Sequence, residues 1–304
     1  MSSVKELENA GYRIMGKHGH GAVKVCHWTK KSLLNQGVCY KEQFYSRELG
    51  IQSHRCLQLT PSLAFCDHRC VFCWRNTELT APGWTGDADD PVEILDWAIL
   101  AQKNLLSGFG GNSEVDKEKF REAQKPLHCA ISLAGEPTLY PKINGFIDAC
   151  KNRRMTSFLV TNGLHPDALE NLVEPTQLYI SLVAPDEKTY LKVCRPACAD
   201  GWMRLGRSLE LMPSFSCRKV VRLTMVKGAN MKNPEGYADL LEKTGCDFIE
   251  VKGYMWVGYS RKRLKMENVP LHQEIKAFAE KLSEATGYRL ADESEPSRVI
   301  LLKK

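Results

Sequence analysis

Three cysteines within eight residues constrain this chain more than any other feature. Cys66, Cys70 and Cys73 stand in a Cys-x3-Cys-x2-Cys spacing inside LQLTPSLAFCDHRCVFCW, directly after a strand-like apolar run. Thiolates this close together can hold one inorganic centre. A structural zinc site wants four closed ligands, commonly two close pairs, whereas three cysteines can hold a 4Fe-4S cluster whose fourth iron stays open. An open iron is a place for a substrate. A partial zinc site and clustered core thiols are the competing readings, because short motifs also arise by chance.

A chain of 304 residues, 43% of them apolar, can bury a core as one large α/β barrel or as two smaller domains. There is no apolar run of about eighteen residues, and the N-terminus, MSSVKELENAGYRIMGKHGH, lacks the apolar centre of a secretory signal. A cytoplasmic protein without membrane attachment is expected. In that compartment twelve cysteines point to metal ligands or buried thiols rather than disulfides. The net charge of +6 leans toward a polyanionic partner, and a solvated surface accounts for it equally well.

A second triplet, Cys26, Cys39 and Cys56, lies upstream in KVCHWTKKSL, GVCYKEQFY and SHRCLQLTP. Alone these read as core thiols, since free cysteine is among the most buried residue types. Two triplets in one chain point instead to a second three-cysteine iron-sulfur centre. Lys41 follows Cys39 by two residues. Lysine is ordinarily a solvated surface group, but near a cluster and a carbonyl substrate it could form a Schiff base. The remaining six cysteines, Cys129, Cys150, Cys194, Cys198, Cys217 and Cys246, are read as structural, as are His27, His54 and His68, which show no paired metal spacing.

From Leu57 the chain alternates short β-branched runs with amphipathic segments, the pattern of βα units on a parallel sheet. Strands are expected at 57–65, 127–134, 156–161, 177–183, 219–226, 247–254 and 297–303. A helix should start at Pro91, capped by Asp90, with Glu93 closing a capping box and Val92, Leu95, Ile99 and Leu106 on its buried face. Pro166 and Pro234 should open two more, after His165 and Asn233. The stretch SGFGGNSEVDKEKFREAQKP reads as a mobile insertion. Its glycines follow a helix rather than a strand, so they do not make a phosphate-binding loop.

Phe72, before the third cysteine, completes the pattern Cys-x3-Cys-x-aromatic-Cys, which resembles the radical S-adenosylmethionine (SAM) signature. With KVCHWTKKSL, CYKEQFY, SLAGEPTLYP and VTNG it resembles, over nearly the whole chain, the archaeal type of tRNA 4-demethylwyosine synthase, the radical-SAM family of the wybutosine pathway. The resemblance implies a partial (β/α)6 TIM-like barrel at 57–304, preceded by a cluster-binding extension at 1–56, in a monomer. It implies two 4Fe-4S clusters, on Cys66, Cys70 and Cys73 and on Cys26, Cys39 and Cys56. By the same resemblance Phe72, Gly135, Glu136, Pro137, Thr161, Asn162 and Ser181 face SAM, although Ala134 replaces the first glycine of the usual motif. The implied reaction is of the carbon–carbon lyase class. A 5'-deoxyadenosyl radical takes hydrogen from the N-methyl group of 1-methylguanosine beside the anticodon of phenylalanine tRNA, and the carbon radical couples to pyruvate, with Lys41 as the expected Schiff-base residue. No flavodoxin-like domain fits, so the electron donor is external, of flavodoxin or ferredoxin type.

The last part of the chain, DFIEVKGYMWVGYSRKRLKMENVP, interleaves Tyr254, Trp256 and Tyr259 with Arg261, Lys262, Arg263 and Lys265. Cations neutralise phosphates and flat rings stack on unpaired bases, so these seven residues are candidate RNA contacts. A barrel-lining strand followed by a solvated basic loop is the plainer reading. Two further functions stay open: a radical-SAM tRNA methylthiotransferase, and a zinc-containing RNA-binding protein without catalysis.

Overall fold

A computed structural model of the chain describes residues 2–304. Its elements group into two units, one of residues up to 65 together with 84–160, the other of 66–83 together with 161–304.

In the first unit five strands lie side by side in chain order: β1 (Arg13–Met15), β2 (Gly21–Val23), β3 (Cys56–Thr60), β4 (His128–Ile131) and β5 (Thr156–Thr161). The pairings β1–β2 and β2–β3 are antiparallel, whereas β3–β4 and β4–β5 are parallel. Six helices accompany them: α1 (Ser2–Asn9), α2 (His27–Leu33), α3 (Tyr40–Leu49), α4 (Pro91–Leu106), α5 (Lys117–Ala123) and α6 (Ile143–Asn152). The strands β1 and β2 escaped the sequence reading because three residues are too few to show a period. Through β2, residues before 56 join the same sheet as β3. The strand expected to reach 65 ends at Thr60, where Pro61 removes a ladder donor and the Thr60 hydroxyl turns to the carbonyl of Ala134 at 2.5 Å.

Helix α4 begins as its sequence dictates. Asp90 accepts from the amides of Val92 and Glu93 at 2.8 and 3.2 Å, and Pro91 fills the first turn. Two expectations fail there. The buried stripe runs through Ile94, Leu95, Ala98 and Leu106, leaving Val92 exposed, and Glu93 reaches Lys17 at 3.4 Å. Nor does the glycine-rich stretch stand apart from the core. Val115 and Ala123 are buried with Val25, Leu33 and Leu106, and Phe109 and Phe120 pack against them. Those apolar side chains outweigh what the glycines and charges suggest.

The second unit carries β6 (Gln177–Ser181), β7 (Arg218–Met225) and β8 (Phe248–Gly253) in parallel, then β10 (Val299–Lys303) and β9 (Arg289–Ser294) antiparallel. The exposed, polar β9 carries no apolar alternation and was not expected. The helices are α7 (Pro166–Glu170), α8 (Glu187–Cys194), α9 (Gly201–Leu211), α10 (Pro234–Glu242) and α11 (His272–Thr286). Pro166 and Pro234 open α7 and α10, and the Asn233 side chain caps the latter. Helix α11 packs against α10, β8 and β10 through Ile275, Phe278, Ala279 and Leu282. The β7–β8 register sets Arg222 opposite the fully buried Glu250, where they pair at 2.8 Å. Among the described residues no helix is long and apolar enough to cross a membrane.

His128 makes the first unit sensitive to acid. Its ring is 3% exposed, accepting the Gln52 amide at Nε2 (3.1 Å) and facing the Thr156 hydroxyl at 2.7 Å through Nδ1. Burial, then the charges of Arg55 and His54, pull its pKa from 6.5 down to about 4. The unfolded chain therefore binds a proton that the folded chain refuses, and this stability is present above pH 6.5 and lost as pH falls toward 4. The loss should reach roughly 3 kcal/mol, at about 1.4 kcal/mol per pKa unit. His128→Gln should flatten that slope, as read by urea unfolding of iron-free protein.

Candidate active site

The upstream triplet assembles in the first unit on three element starts. Cys26 is the N-cap of α2, Cys39 the N-cap of α3, and Cys56 opens β3. A helix N-terminus favours a thiolate, because amide groups and the helix dipole face it. Burial pushes the Cys56 thiol far up, the neighbouring Cys26 and Cys39 push it further, and the Lys41 ammonium draws it back. The three sulfurs and the amine thus form one electrostatic group. Lys41 also lies over the buried Phe158 ring, 4.8 Å from its centre. Sequence reasoning missed Ser53, the hub of this group. Its hydroxyl accepts the Cys39 amide at 2.8 Å, its amide donates to Glu42 at 2.6 Å, and its carbonyl accepts from Thr29 at 2.9 Å.

The second triplet lies in the second unit on a loop without helix or strand. Cys66 donates its amide to Ala81, and Cys73 folds back onto the Cys70 carbonyl at 3.1 Å. Burial, then the neighbouring Cys70, push the Cys73 thiol up to about 11, against the Arg75 amide and the Arg263 charge. Cys70 is raised by a hydrogen bond with Cys194 and by burial, while His68 opposes. Cys194, read as a structural thiol, therefore sits beside a candidate ligand. Phe72 is half-buried between Val71 and Cys73. Side-chain pairs hold the loop: Asp67, which the sequence did not single out, takes Asn162 at 2.7 Å and His165 at 2.9 Å, and His68 meets the Tyr190 hydroxyl at 2.8 Å. Burial works against the Asp67 carboxylate, yet the His165 hydrogen bond and charge hold its pKa below the ordinary value.

Both donor sets fit iron-sulfur ligation. Each offers three soft thiol ligands, and burial makes the anions of Cys56, Cys70 and Cys73 unfavourable until a cation neutralises them. None of the twelve cysteines is in a disulfide. The histidine-rich group of His18, His20 and Asp89 is different. His20 is already held by the Pro61 carbonyl and the Asp89 amide, at 2.7 and 2.9 Å, and Asp89 by the Lys17 and His18 amides and the His18 ring. It is a structural knot.

The expected SAM residues sit at strand ends. In the first unit Gly135, Glu136 and Pro137 follow β4. Gly135 has φ +65°, and its amide neighbour Glu136 donates to the Phe65 carbonyl at 2.7 Å. The Glu136 carboxylate is 2% exposed, with one oxygen bonded by the Thr138 amide and hydroxyl. Thr161 ends β5 and accepts the Gly163 amide at 3.1 Å. In the second unit Ser181 ends β6, half-buried, and Asn162 is engaged with Asp67.

A family model described as "Radical SAM superfamily" matches residues 60–241, and one described as "Wyosine base formation" matches 243–304. The S-adenosyl-L-methionine-dependent tRNA 4-demethylwyosine synthase of Pyrococcus horikoshii is 50% identical, over 96% of this chain and 86% of the relative. That of Methanocaldococcus jannaschii is 38% identical over 96% and 95%. The chain belongs to the tRNA 4-demethylwyosine synthase family. The yeast member is 41% identical over 99% of this chain but only 38% of its own length. A structure of TYW1 with a lysine-pyruvate adduct bound superposes at TM-score 0.88 with 38% identity, covering 99% and 95%, and a crystal structure of archaeal TYW1 at 0.82 with 33%. The fold is that of the radical-SAM enzymes, the function lies in wyosine biosynthesis on tRNA, and SAM with a 4Fe-4S cluster is implied. Neither the methylthiotransferase nor the zinc-module reading survives.

Within the family's wyosine-forming segment, the structure sorts the seven expected RNA contacts. Arg261, Lys262 and Lys265 are exposed. Arg261 lies over the half-buried Trp256 ring at 4.8 Å and Lys262 over Tyr259 at 4.9 Å. Two residues depart from expectation. Tyr254 is 2% exposed with its hydroxyl on Ser260, so its ring has no face for a base. Arg263 turns inward, onto the loop that carries the second triplet.

Gly135 is the test of the first unit's strand-end turn. A Cβ there would stand 1.8 Å from the Ser62 carbonyl oxygen. The left-handed backbone adds about 1–2 kcal/mol for any other residue. Gly135→Ala should lower stability by at least about 1–2 kcal/mol, as read by calorimetry of the anaerobic protein.

Proposed function

We propose that the chain condenses pyruvate with the N-methyl carbon of 1-methylguanosine in phenylalanine tRNA to give 4-demethylwyosine, with Lys41 holding the pyruvate; two pyruvate carbons close the new ring and the first carbon is lost. The observation that carries this reading is the Lys41 charge acting on the Cys56 thiol, which the Cys26 and Cys39 thiols also face. The lysine-pyruvate adduct of the related structure supports it. When bound, a cluster on Cys66, Cys70 and Cys73 supplies the electron for SAM cleavage, and one on Cys26, Cys39 and Cys56 supplies an open iron near Lys41. As the free amine, Lys41 attacks the ketone carbon, water leaves, and an imine remains. The buried Glu136 carboxylate takes the methionyl ammonium of SAM, while Thr161, Asn162 and Ser181 offer polar groups at strand ends to its methionyl and ribose parts. Arg261, Lys262 and Lys265 neutralise tRNA phosphates, and Trp256 and Tyr259 offer faces to unstacked bases. An external donor of flavodoxin or ferredoxin type delivers electrons.

Lys41→Ala should keep iron and SAM cleavage yet make little tricyclic base. Lys41→Arg keeps the charge but cannot form the imine. Borohydride with labelled pyruvate should attach about one label per wild-type chain, at Lys41, and none to either variant. An active Lys41→Arg enzyme without adduct would reduce Lys41 to an electrostatic role.

Neutralising Lys262 and Lys265 together should weaken tRNA binding and flatten its log–log salt dependence by roughly two units, since each phosphate contact contributes about 0.9 on duplex and about 0.7 on single strands. Filter binding across salt concentrations reads it. An unchanged slope would make these residues solvated surface.

A further inference from the structure

Residues 71–77 form no helix or strand beyond a single 3-10 turn starting at Thr77, so their carbonyls need partners from elsewhere. One side chain supplies several. The Arg263 guanidinium donates from Nε to the Val71 carbonyl at 3.2 Å, from Nη2 to the carbonyls of Cys73 and Arg75, and from Nη1 to the Thr77 hydroxyl at 3.4 Å. The backbone around Arg263 is fastened to the same stretch. Tyr259 donates its amide to the Trp74 carbonyl at 3.0 Å. Gly258, at φ +57°, approaches that carbonyl so closely that a Cβ would stand 2.3 Å from its oxygen. Arg263 thus shares a short segment with the exposed Arg261 and Lys262 but spends its donors on the cysteine loop.

We propose that Arg263 is a positioning residue: it fixes the Cys70–Cys73 turn against the basic loop and sets a permanent positive charge against the Cys73 backbone. The charge half of this rests on the reading of Cys66, Cys70 and Cys73 as cluster ligands, and the tethering half does not. A planar fork suits the task, because one guanidinium can serve several carbonyls at fixed angles, whereas an ammonium of equal charge serves fewer. A cation near a ligand sulfur stabilises the more negative, reduced cluster and raises its potential, as hydrogen bonds to the sulfurs do. Basic residues proposed to bind tRNA and a residue that shapes the cysteine turn then belong to one segment.

The test uses anaerobically purified protein with Arg263→Gln and Arg263→Lys. Amide exchange is read at Val71 and Cys73, whose amides bond Val193 and Cys70 at 2.8 and 3.1 Å. In Arg263→Gln these two should exchange about tenfold faster or more, the shift expected when charge-assisted hydrogen bonds are lost. The midpoint potential of the cluster, followed by electron paramagnetic resonance, should fall. Arg263→Lys should restore most of the potential but little of the protection. Wild-type exchange and potential in both variants, with tRNA affinity lost, would overturn the proposal and make Arg263 a phosphate contact. Iron analysis keeps the failures apart: a Cys66, Cys70 and Cys73 variant with full iron would sink the cluster reading, while the exchange result would still decide the tether. Should Arg263→Gln not fold, wild-type protection at both amides in Arg263→Lys would count against the fork.

Discussion

Thiols gathered close together repel one another as soon as they ionise, and burial raises the cost. That constraint shapes both cysteine groups. In the first unit two of three sulfurs stand at helix N-termini and Lys41 adds a full charge. In the second unit, no helix starts at the ligands, and hydrogen-bond donors replace it: His68 toward Cys70, the Arg75 amide and the Arg263 charge toward Cys73. Each arrangement lowers the energy of the anion, and neither removes the repulsion; a bound cation would.

A loop that has to present three sulfurs cannot also satisfy its own backbone. In the second unit the deficit is met on both sides of the triplet. Arg69 and Val71 donate to the carbonyls that end α8, at Cys194 and Val193, and the Asp67 carbonyl accepts the Ala197 amide. Downstream, Arg263 covers the carbonyls of Val71, Cys73 and Arg75. Asp67, His68 and Arg263 are therefore structural in the strict sense, yet what they structure is the site. Surface and core categories do not separate such residues from functional ones.

The ligand spacing, the strands of the parallel sheet and the proline-opened helices were legible because each is written locally: a motif, a short β-branched run, a cap. What failed was long-range. Val92 fits the helical period of α4 but lies on its open side, because the sheet takes Ile94 and Ala98 instead. The glycines at 108, 110 and 111 suggest mobility, yet Phe109 and Phe120 pack against a buried cluster that includes Leu33 and Leu106 from distant parts of the chain. Arg263 and Lys262 are adjacent in a basic run, and only the fold reveals that one points to the loop and the other to solvent. Ser53 carries no motif at all.

The two groups also differ in the kind of cation each recruits, and the difference follows from chemistry. A lysine can become a nucleophile once it loses its proton, so the proposed attack on a ketone calls for a residue of this type at Lys41. An arginine never deprotonates in this range and cannot form an imine, so at Arg263 it offers only charge and geometry. A centre that passes electrons to SAM has no use for a competing nucleophile beside it, because the sulfonium is itself open to attack. Exchanging the two residue types would leave the net charge of each group unchanged and would still put the wrong chemistry in both places.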